Sequence, residues 1–598
     1  MALAHLVWIT SLVLGKAEND ILLLQRPGLL LERTAHEHDL AGRSVYLIMT
    51  DRFSRDNDQP CEGDNWCNGT LKGITAHLDY IDGMGWDCIW VTPVVRNVYG
   101  PDQGESGYGY HGYWAQDFYE IDPSFGSKED LKELVSETHR RGMCFILDVV
   151  LNHVGPVHSL KELSRIKPFN DPGFFNLLNI SGMTFDDYAT KAANWPYPVQ
   201  ALGPGAACWL DYTEDGIPDG TNNGTYCNNY LTNNYSFENY LQDRAHGPAY
   251  LKYCGTGDYI CPGYNETVVL NGWFYDLPDL NHSVPFVRHF LKEWVLHMVK
   301  EFHVDGLRLD TASYIPPDFL AEVQDMLLHL ARPVPIFGEV TAVNLSYHAS
   351  FQSRDGRGIL AGLSNFPLTY SAIPGYCGWP NAILSPIAQF DLTYLASATQ
   401  EQSSMLYADT DLLMNMMDNQ DEMPIAGLYH TSAGPFSPGE GGCQDDRSLL
   451  LNAWAWLMFA KGMPVVTWGD EQGNPFYRMS LWQHGWKTDT WQYKLLRRMN
   501  HIRARRQLGR TAAKVQHGSK RLFVFQRGEP NSIAGVWVFT NNLPSGSEVV
   551  YPVAPPPAPP GMHWQDILFG QLFDISEGRV AAGSRPLVLA LSTEHVSS

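Results

Sequence analysis

The sequence is short of positive charge. Its 42 Lys and Arg residues face 65 Asp and Glu, a formal net charge of −23. A chain this acidic repels phosphate backbones, which sets nucleic acid aside as a partner. Beyond the N-terminus it has no apolar run of about twenty residues, so no transmembrane span is expected. No internal repeat is visible. Charged residues are only 18%, but with 44% hydrophobic residues this is the composition of a globular protein, not of a disordered one. Aromatics, in contrast, are plentiful: 18 Trp, 29 Tyr and 26 Phe suit a protein that stacks flat apolar faces, sugars included, although large cores also use them. The acidity would also favour a bound cation such as calcium, but only specific carboxylates could show that.

Three features point to export. Residues 1–17 read as a signal peptide: Ala2 to Gly15 is mostly apolar, too short to span a bilayer, and Ala17 is the candidate cleavage position. A buried N-terminal segment is the competing reading, since His5 is the only basic group there. Ten cysteines include the close pairs Cys61/Cys67, Cys208/Cys227 and Cys254/Cys261, in Gly-, Asn- and Asp-rich surroundings where disulfides are expected. Cys88 and Cys144 sit in apolar runs and read as buried free thiols. Glycosylation sequons occur at Asn68, Asn179, Asn223, Asn234, Asn265, Asn281 and Asn344. The expected location is outside the cell or within the secretory lumen.

Along the chain, buried-strand candidates alternate with amphipathic helices. The strands are Ser44–Thr50, Cys88–Val94, Met143–Val150, Gly306–Asp310, Ile336–Glu339, Ile359–Asn365, Leu412–Met417 and Met463–Trp468. The helices are Leu71–Gly83, Lys128–Arg141, Val284–Phe302, Pro317–Leu330 and Ser448–Ala460. Apolar strands in such alternation predict an α/β fold with a parallel sheet, and eight of them match a (β/α)8 TIM barrel. The barrel is expected in two parts, 43–154 and 273–509. Between them, 155–272 is rich in Asn, Gly, Tyr and Cys, too long for a loop, and reads as a long inserted domain after strand three. Residues 510–598 turn to short alternating runs at Leu522–Gln526, Ala534–Thr540 and Pro586–Leu591, a C-terminal antiparallel β domain.

Polar residues gather at the C-terminal ends of these strands, where barrel active sites sit. Arg308 and Asp310 are two apart and so share one strand face. Alone, the pair reads equally well as a buried structural ion pair. With Asp148, Asn152 and His153 after strand three, Glu339 after strand five, and Asn419 and Asp421 after strand seven, chemistry becomes the better reading. Retaining glycoside hydrolysis needs two carboxyl groups roughly 5 Å apart, one ionised and one protonated. Arg308 is expected to depress the pKa of Asp310, and burial behind Ile336-Phe337-Gly338 to keep Glu339 protonated. A third carboxylate can orient sugar hydroxyls and stabilise oxocarbenium-like charge.

The motifs Asp148-Val-Val-Leu-Asn-His153, Gly306-Leu-Arg-Leu-Asp310, Gly338-Glu339-Val340 and Asn419-Gln-Asp421, with Gly109-Tyr-His-Gly-Tyr-Trp114 and Leu277-Pro-Asp-Leu280, resemble those of the α-amylase family of glycoside hydrolases. The resemblance is closest to the fungal-type secreted members and runs from about Arg43 to the C-terminus, most of the insert excepted. It implies Asp310 as nucleophile, Glu339 as acid/base and Asp421 as transition-state stabiliser. It implies sugar contacts from Arg308, His111, His153 and a stacking Tyr113, with Gln420 and Arg478 also at the substrate. Asn152, Asp279 and the Tyr314 carbonyl would ligate a structural Ca2+, a hard cation that prefers oxygen. Cys61/Cys67 resembles the early disulfide of the fungal enzymes. There are departures. Gln420 stands where the family has His, and Ser313-Tyr314 where fungal-type members have Lys-His. Asn474 stands where Asp is common, whereas Arg478 matches.

The implied activity is retaining endo-hydrolysis of α-1,4-glucosidic bonds by a monomer acting on an α-glucan polysaccharide or oligosaccharide. Two alternatives stay open: an α-glucanotransferase or exo-acting α-glucosidase with the same three carboxylates, and a non-catalytic glucan-binding protein of the same fold.

Overall fold

The computed structural model describes residues 39–593 apart from a central stretch and short gaps. Between 177 and 276 only 184–186, 189, 270 and 273 are described, and the gaps are 56–60, 62–64, 101–107, 343, 379–388, 422–442, 444–445, 475–477, 530–531, 533, 574 and 576–577. The expected signal peptide, most of the expected insert, the pairs Cys208/Cys227 and Cys254/Cys261, and the sequons at Asn179, Asn223, Asn234 and Asn265 lie outside the described residues.

Eight parallel strands close into a barrel: β1 (Val45–Ile48), β2 (Cys88–Val91), β3 (Cys144–Val150), β4 (Gly306–Asp310), β5 (Ile336–Gly338), β6 (Gly362–Ser364), β7 (Leu413–Asn415) and β8 (Met463–Thr467). Each pairs with the next, and β1 returns to β8 through Val45–Val465. Every residue of all eight is buried, as expected of strands that face side chains within and helices without. The sixth strand is shorter than its apolar run. Ile359 and Leu360 donate their N–H groups back to Gln352 and Phe351, so they close a turn before the barrel begins at Gly362.

Helix α1 (Lys128–Arg140) shows why the outer layer forms. Ser127 and Asp130 make a capping box, satisfying two otherwise orphaned N–H groups. Leu131, Leu134, Val135 and Thr138 recur on one buried face, and Gly142, at φ +70°, ends the helix. Helices α2 (Pro285–Phe302) and α3 (Pro317–Leu328) instead start on a proline with no side-chain cap, α4 (Arg447–Phe459) is capped by Asp446 and buried from Ser448 onward, and α5 (Trp491–Arg505) is capped by Thr490. The predicted helix 71–83 is instead two, Leu71–Ala76 and Leu78–Gly83, broken at His77. The His77 ring stacks on Trp486 at 3.7 Å, and its Nδ1 lies 3.0 Å from the Gly73 carbonyl oxygen.

Two cysteine readings change. Cys61–Cys67 is a disulfide, as the resemblance implied. Cys88 and Cys144 are not free thiols: the register of β2 on β3 sets them opposite one another, Cα atoms 4.3 Å apart, and they are joined. A third disulfide, Cys377–Cys443, links positions that sequence spacing did not suggest.

The C-terminal part forms an antiparallel six-stranded sheet, Ala513–Gly518, Leu522–Arg527, Val536–Asn541, Leu587–Ser592, His563–Asp566 and Leu572–Phe573 in spatial order. Glu548–Tyr551 pairs with Val580–Gly583 beside it. Trp537, Phe539, Tyr551, Trp564 and Leu589 fill a core of their own. Among the described residues no helix is long and apolar enough to cross a membrane.

Candidate active site

The end of β4 carries the centre of the site. Arg308 is 1% exposed, and its guanidinium serves three carboxylates. Nη1 donates to Asp310 Oδ1 at 2.7 Å and to Asp148 Oδ1 at 3.1 Å, and Nη2 lies 2.7 Å from Glu339 Oε1. Strand alternation puts Arg308 and Asp310 on one face, and β3–β4 pairing sets Asp148 opposite Arg308. Asp148 Oδ2 also accepts from Trp90 Nε1 and from the Tyr113 hydroxyl. Asp148 lies within β3 and not after it, and it fixes both Arg308 and Tyr113. Sequence reasoning placed it at the rim without a role, because its partners come from three separate segments.

Glu339 leaves β5 with its N–H bonded to the Leu309 carbonyl, and its Oε2 accepts from Thr311 N at 2.9 Å. Burial pushes the Glu339 carboxyl up to about 8, against the pull of Arg308 and with the negative charges of Asp310 and Asp421 adding to the rise. Asp310 is also raised, to about 6. This corrects the expectation that Arg308 would hold it low: burial outweighs the guanidinium, and Asp148 adds a second upward push. The order of proton affinity is nevertheless the expected one, Glu339 above Asp310.

His111, Tyr113 and His153 come together beside this cluster. The His111 and Tyr113 rings lie 5.7 Å apart and near-parallel, and Tyr113 N donates to His111 Nδ1. Gly112 between them takes φ +95°, and a Cβ there would sit 2.2 Å from the Pro93 carbonyl oxygen, so only glycine permits this turn. Burial lowers the pKa of both imidazoles, His153 to about 4, so each is neutral near pH 7 and can meet a sugar hydroxyl as donor or acceptor.

Asp421 is different: its side chain is 52% exposed. Its Oδ1 accepts from Arg478 Nη2 at 2.9 Å, its Oδ2 from Gln420 Nε2 at 2.8 Å, and its N–H bonds Asn419 Oδ1. The buried Gln420 Oε1 has no partner among the described residues. Ser313 and Tyr314 are buried in the tight turn Ala312–Tyr314 that leaves β4.

Asn152 and Asp279 are brought together by backbone pairing of Leu280 N with the Asn152 carbonyl and by the His153–Asp279 bridge. Both are fully buried, and neither Asp279 Oδ1 nor either polar atom of the Asn152 side chain makes a properly aligned hydrogen bond. Burial drives Asp279 well above the usual carboxylate range. Buried, unsatisfied oxygens of this kind fit a hard cation. Among the described residues there is no cluster of three His, Cys, Asp or Glu.

A closed (β/α)8 barrel with carboxylates gathered at its rim is an arrangement suited to glycoside hydrolysis. Residues 47–200 match the family model of the α-amylase catalytic domain. Alpha-amylase 2 of Schwanniomyces occidentalis is 28% identical over 570 residues, 92% of this chain and 89% of that protein. An α-amylase structure from Malbranchea cinnamomea superposes with TM-score 0.65 at 22% identity, covering 92% of this chain and 96% of that one. A cyclomaltodextrin glucanotransferase with a three-domain ABC distribution superposes at TM-score 0.62 and 20% identity, covering 93% and 100%. At such identities the structural likenesses speak for the fold alone. The sequence relatives and the family model make the chain similar to α-amylases over most of its length.

Proposed function

We propose that this chain is a retaining, endo-acting hydrolase of α-1,4-glucosidic bonds in starch- or glycogen-type glucans. The observation that carries the reading is the single buried guanidinium of Arg308 shared by Asp310 and Glu339, two carboxyls whose surroundings set their proton affinities apart. In this reading Glu339 gives its proton to the glycosidic oxygen as that bond breaks, and Asp310 forms the bond to the anomeric carbon. Water then displaces Asp310, losing its proton to Glu339. Asp421 orients hydroxyls and faces the positive charge that develops on the ring. Tyr113 supplies an apolar face, His111, His153, Arg308 and Gln420 supply hydrogen bonds, and Arg478 holds the Asp421 carboxylate beside them.

Asn152, Asp279 and the Tyr314 carbonyl would hold a calcium ion, which supplies structural neutralisation of buried oxygens beside the end of β3. Three disulfides among the described residues and the fungal relatives support a location outside the cell or in the secretory lumen.

The same three carboxylates could pass the glucosyl unit to a sugar hydroxyl in place of water, the transferase reading. Asp310→Asn should lower kcat by about 10⁴-fold or more, since it removes the nucleophile itself. Near-normal turnover in that variant would sink the assignment of Asp310 as nucleophile. Chromatography of products from soluble starch separates the rest. Short linear products of mixed length support endo-hydrolysis, whereas cyclic or lengthened products support transfer.

A further inference from the structure

Asp421 depends on a side chain 57 positions away, and that side chain is held from behind. Arg478 Nη2 donates to Asp421 Oδ1, Nε to the Gln420 carbonyl at 2.8 Å, and Nη1 to the Tyr110 hydroxyl at 3.0 Å. Three bonds from one planar guanidinium leave it little freedom. Arg52, fully buried, lies with its Cζ 4.0 Å from the centroid of the Tyr110 ring and donates through Nη1 to the Arg478 carbonyl at 3.2 Å. Arg52 is itself fixed by Asp51 Oδ2 at 3.0 Å.

The backbone at Arg478 is strained. Its φ is +50°, a conformation that non-glycine residues take at a cost. The strain is held from both sides: by Arg52 on the Arg478 carbonyl, and by Ser480 Oγ and Gln483 Nε2, which bond the Cys61 carbonyl of the disulfide-closed turn. An ion pair with a half-exposed carboxylate adds little to stability, so stability does not account for this much scaffolding. Orientation does. Asn474, where the family commonly has Asp, carries no charge to compete for Arg478, and its Oδ1 lies 3.0 Å from His484 Nε2.

We infer that Arg478 is a positioning residue for Asp421, aimed by Tyr110 and Arg52, and is not primarily a ligand of the sugar. The inference rests on the reading of Asp421 as the stabiliser of the transition state. Its signature is a loss of kcat with KM preserved, because an aim that matters only at the transition state leaves ground-state binding alone.

The test is steady-state kinetics of the full chain on a maltooligosaccharide of defined length. Arg478→Gln should lower kcat about 100-fold, the scale of a misplaced catalytic group, with KM within about threefold of the parent. Arg478→Lys keeps the charge without the fork and should fall between the two. Tyr110→Phe keeps the ring under Arg52, removes one hydroxyl, and should lower kcat about fivefold at unchanged Tm, the weight of one hydrogen bond. A rise in KM with unchanged kcat in Arg478→Gln overturns the inference and makes Arg478 a sugar ligand. If that variant does not fold, an unchanged kcat in Tyr110→Phe overturns it equally. Asp310→Asn tells the two levels apart: an active Asp310→Asn removes the underlying reading. An inactive one, beside an Arg478→Gln variant altered only in KM, removes this inference alone.

Discussion

Arg308 and Arg527 are both fully buried, yet they answer their burial in opposite ways. Arg308 is surrounded by the carboxylates of Asp148, Asp310 and Glu339, and their negative charge holds its pKa above the usual guanidinium range despite burial. Arg527, in the C-terminal sheet, bonds the carbonyls of Phe459 and Ala460 at the end of α4 and those of Leu508, Gly509 and Thr511. Burial pulls its pKa down to about 9, with Arg503 adding to the fall. One cation gathers ionisable partners whose protonation can change during a reaction. The other closes the exposed carbonyl end of a helix and joins the barrel to the sheet. Burial of an arginine therefore says little about its role; what matters is whether its partners can titrate.

The comparison breaks most visibly if the two are changed alike. Arg308→Lys should cost about 10³-fold in kcat/KM, since an ammonium cannot bridge Asp310 and Glu339 as the fork does. Circular dichroism should confirm that this variant still folds. Arg527→Met should leave kcat/KM unchanged below the melting transition but destabilise the protein by about 3 kcal/mol, from carbonyls left buried and unpaired. Chemical denaturation measures it, and a catalytic defect in Arg527→Met with intact stability would erase the distinction.

Arg308 was legible in the sequence and Arg527 was not. Gly306–Asp310 is a five-residue apolar strand with its only charges two apart, so period-two alternation alone brings them to one face. All eight barrel strands were readable for the same reason: strands buried on both faces are continuous apolar runs. Arg527 ends an ordinary alternating strand, and its partners lie on a helix end some 68 positions earlier. The pairing of Cys88 with Cys144 was hidden likewise, since it depends on β2–β3 register. The Arg52–Tyr110–Arg478 relay joins segments up to 426 positions apart. The direction of the Asp310 shift failed differently. Sequence showed the neighbouring charge but not how completely the carboxyl is withdrawn from water.

A finer test of the Arg308 cluster is its pH dependence. The proposed roles need Asp310 ionised and Glu339 protonated, so kcat/KM should rise through about 6 and fall through about 8. These limbs belong to the coupled cluster as a whole. The stability sign follows from linkage. The folded state holds the Glu339 proton up to about 8, whereas the unfolded chain releases it near 4.5. That contribution is therefore fully present below 4.5 and is lost as pH rises through about 8. Glu339→Gln should flatten the decline of Tm across this range; an unchanged slope would show that the proton is held elsewhere.

The smallest expected effect concerns the buried oxygens of Asn152 and Asp279. Like the partners of Arg308 they are acidic or polar and buried, but among the described residues no cationic side chain pairs with them. Two states could resolve this: a protonated Asp279, or a bound calcium ion. They differ in what a chelator does. A site filled at 100 times its Kd contributes about 2.7 kcal/mol, or a few degrees of Tm in a chain of this size. Chelation should lower Tm by that amount in the parent and leave Asp279→Asn, already neutral, almost unmoved. If instead the parent ignores the chelator and loses stability as pH rises above the usual carboxylate range in a way that Asp279→Asn does not, the carboxyl is simply protonated, and the site is a buried acid with no metal to serve.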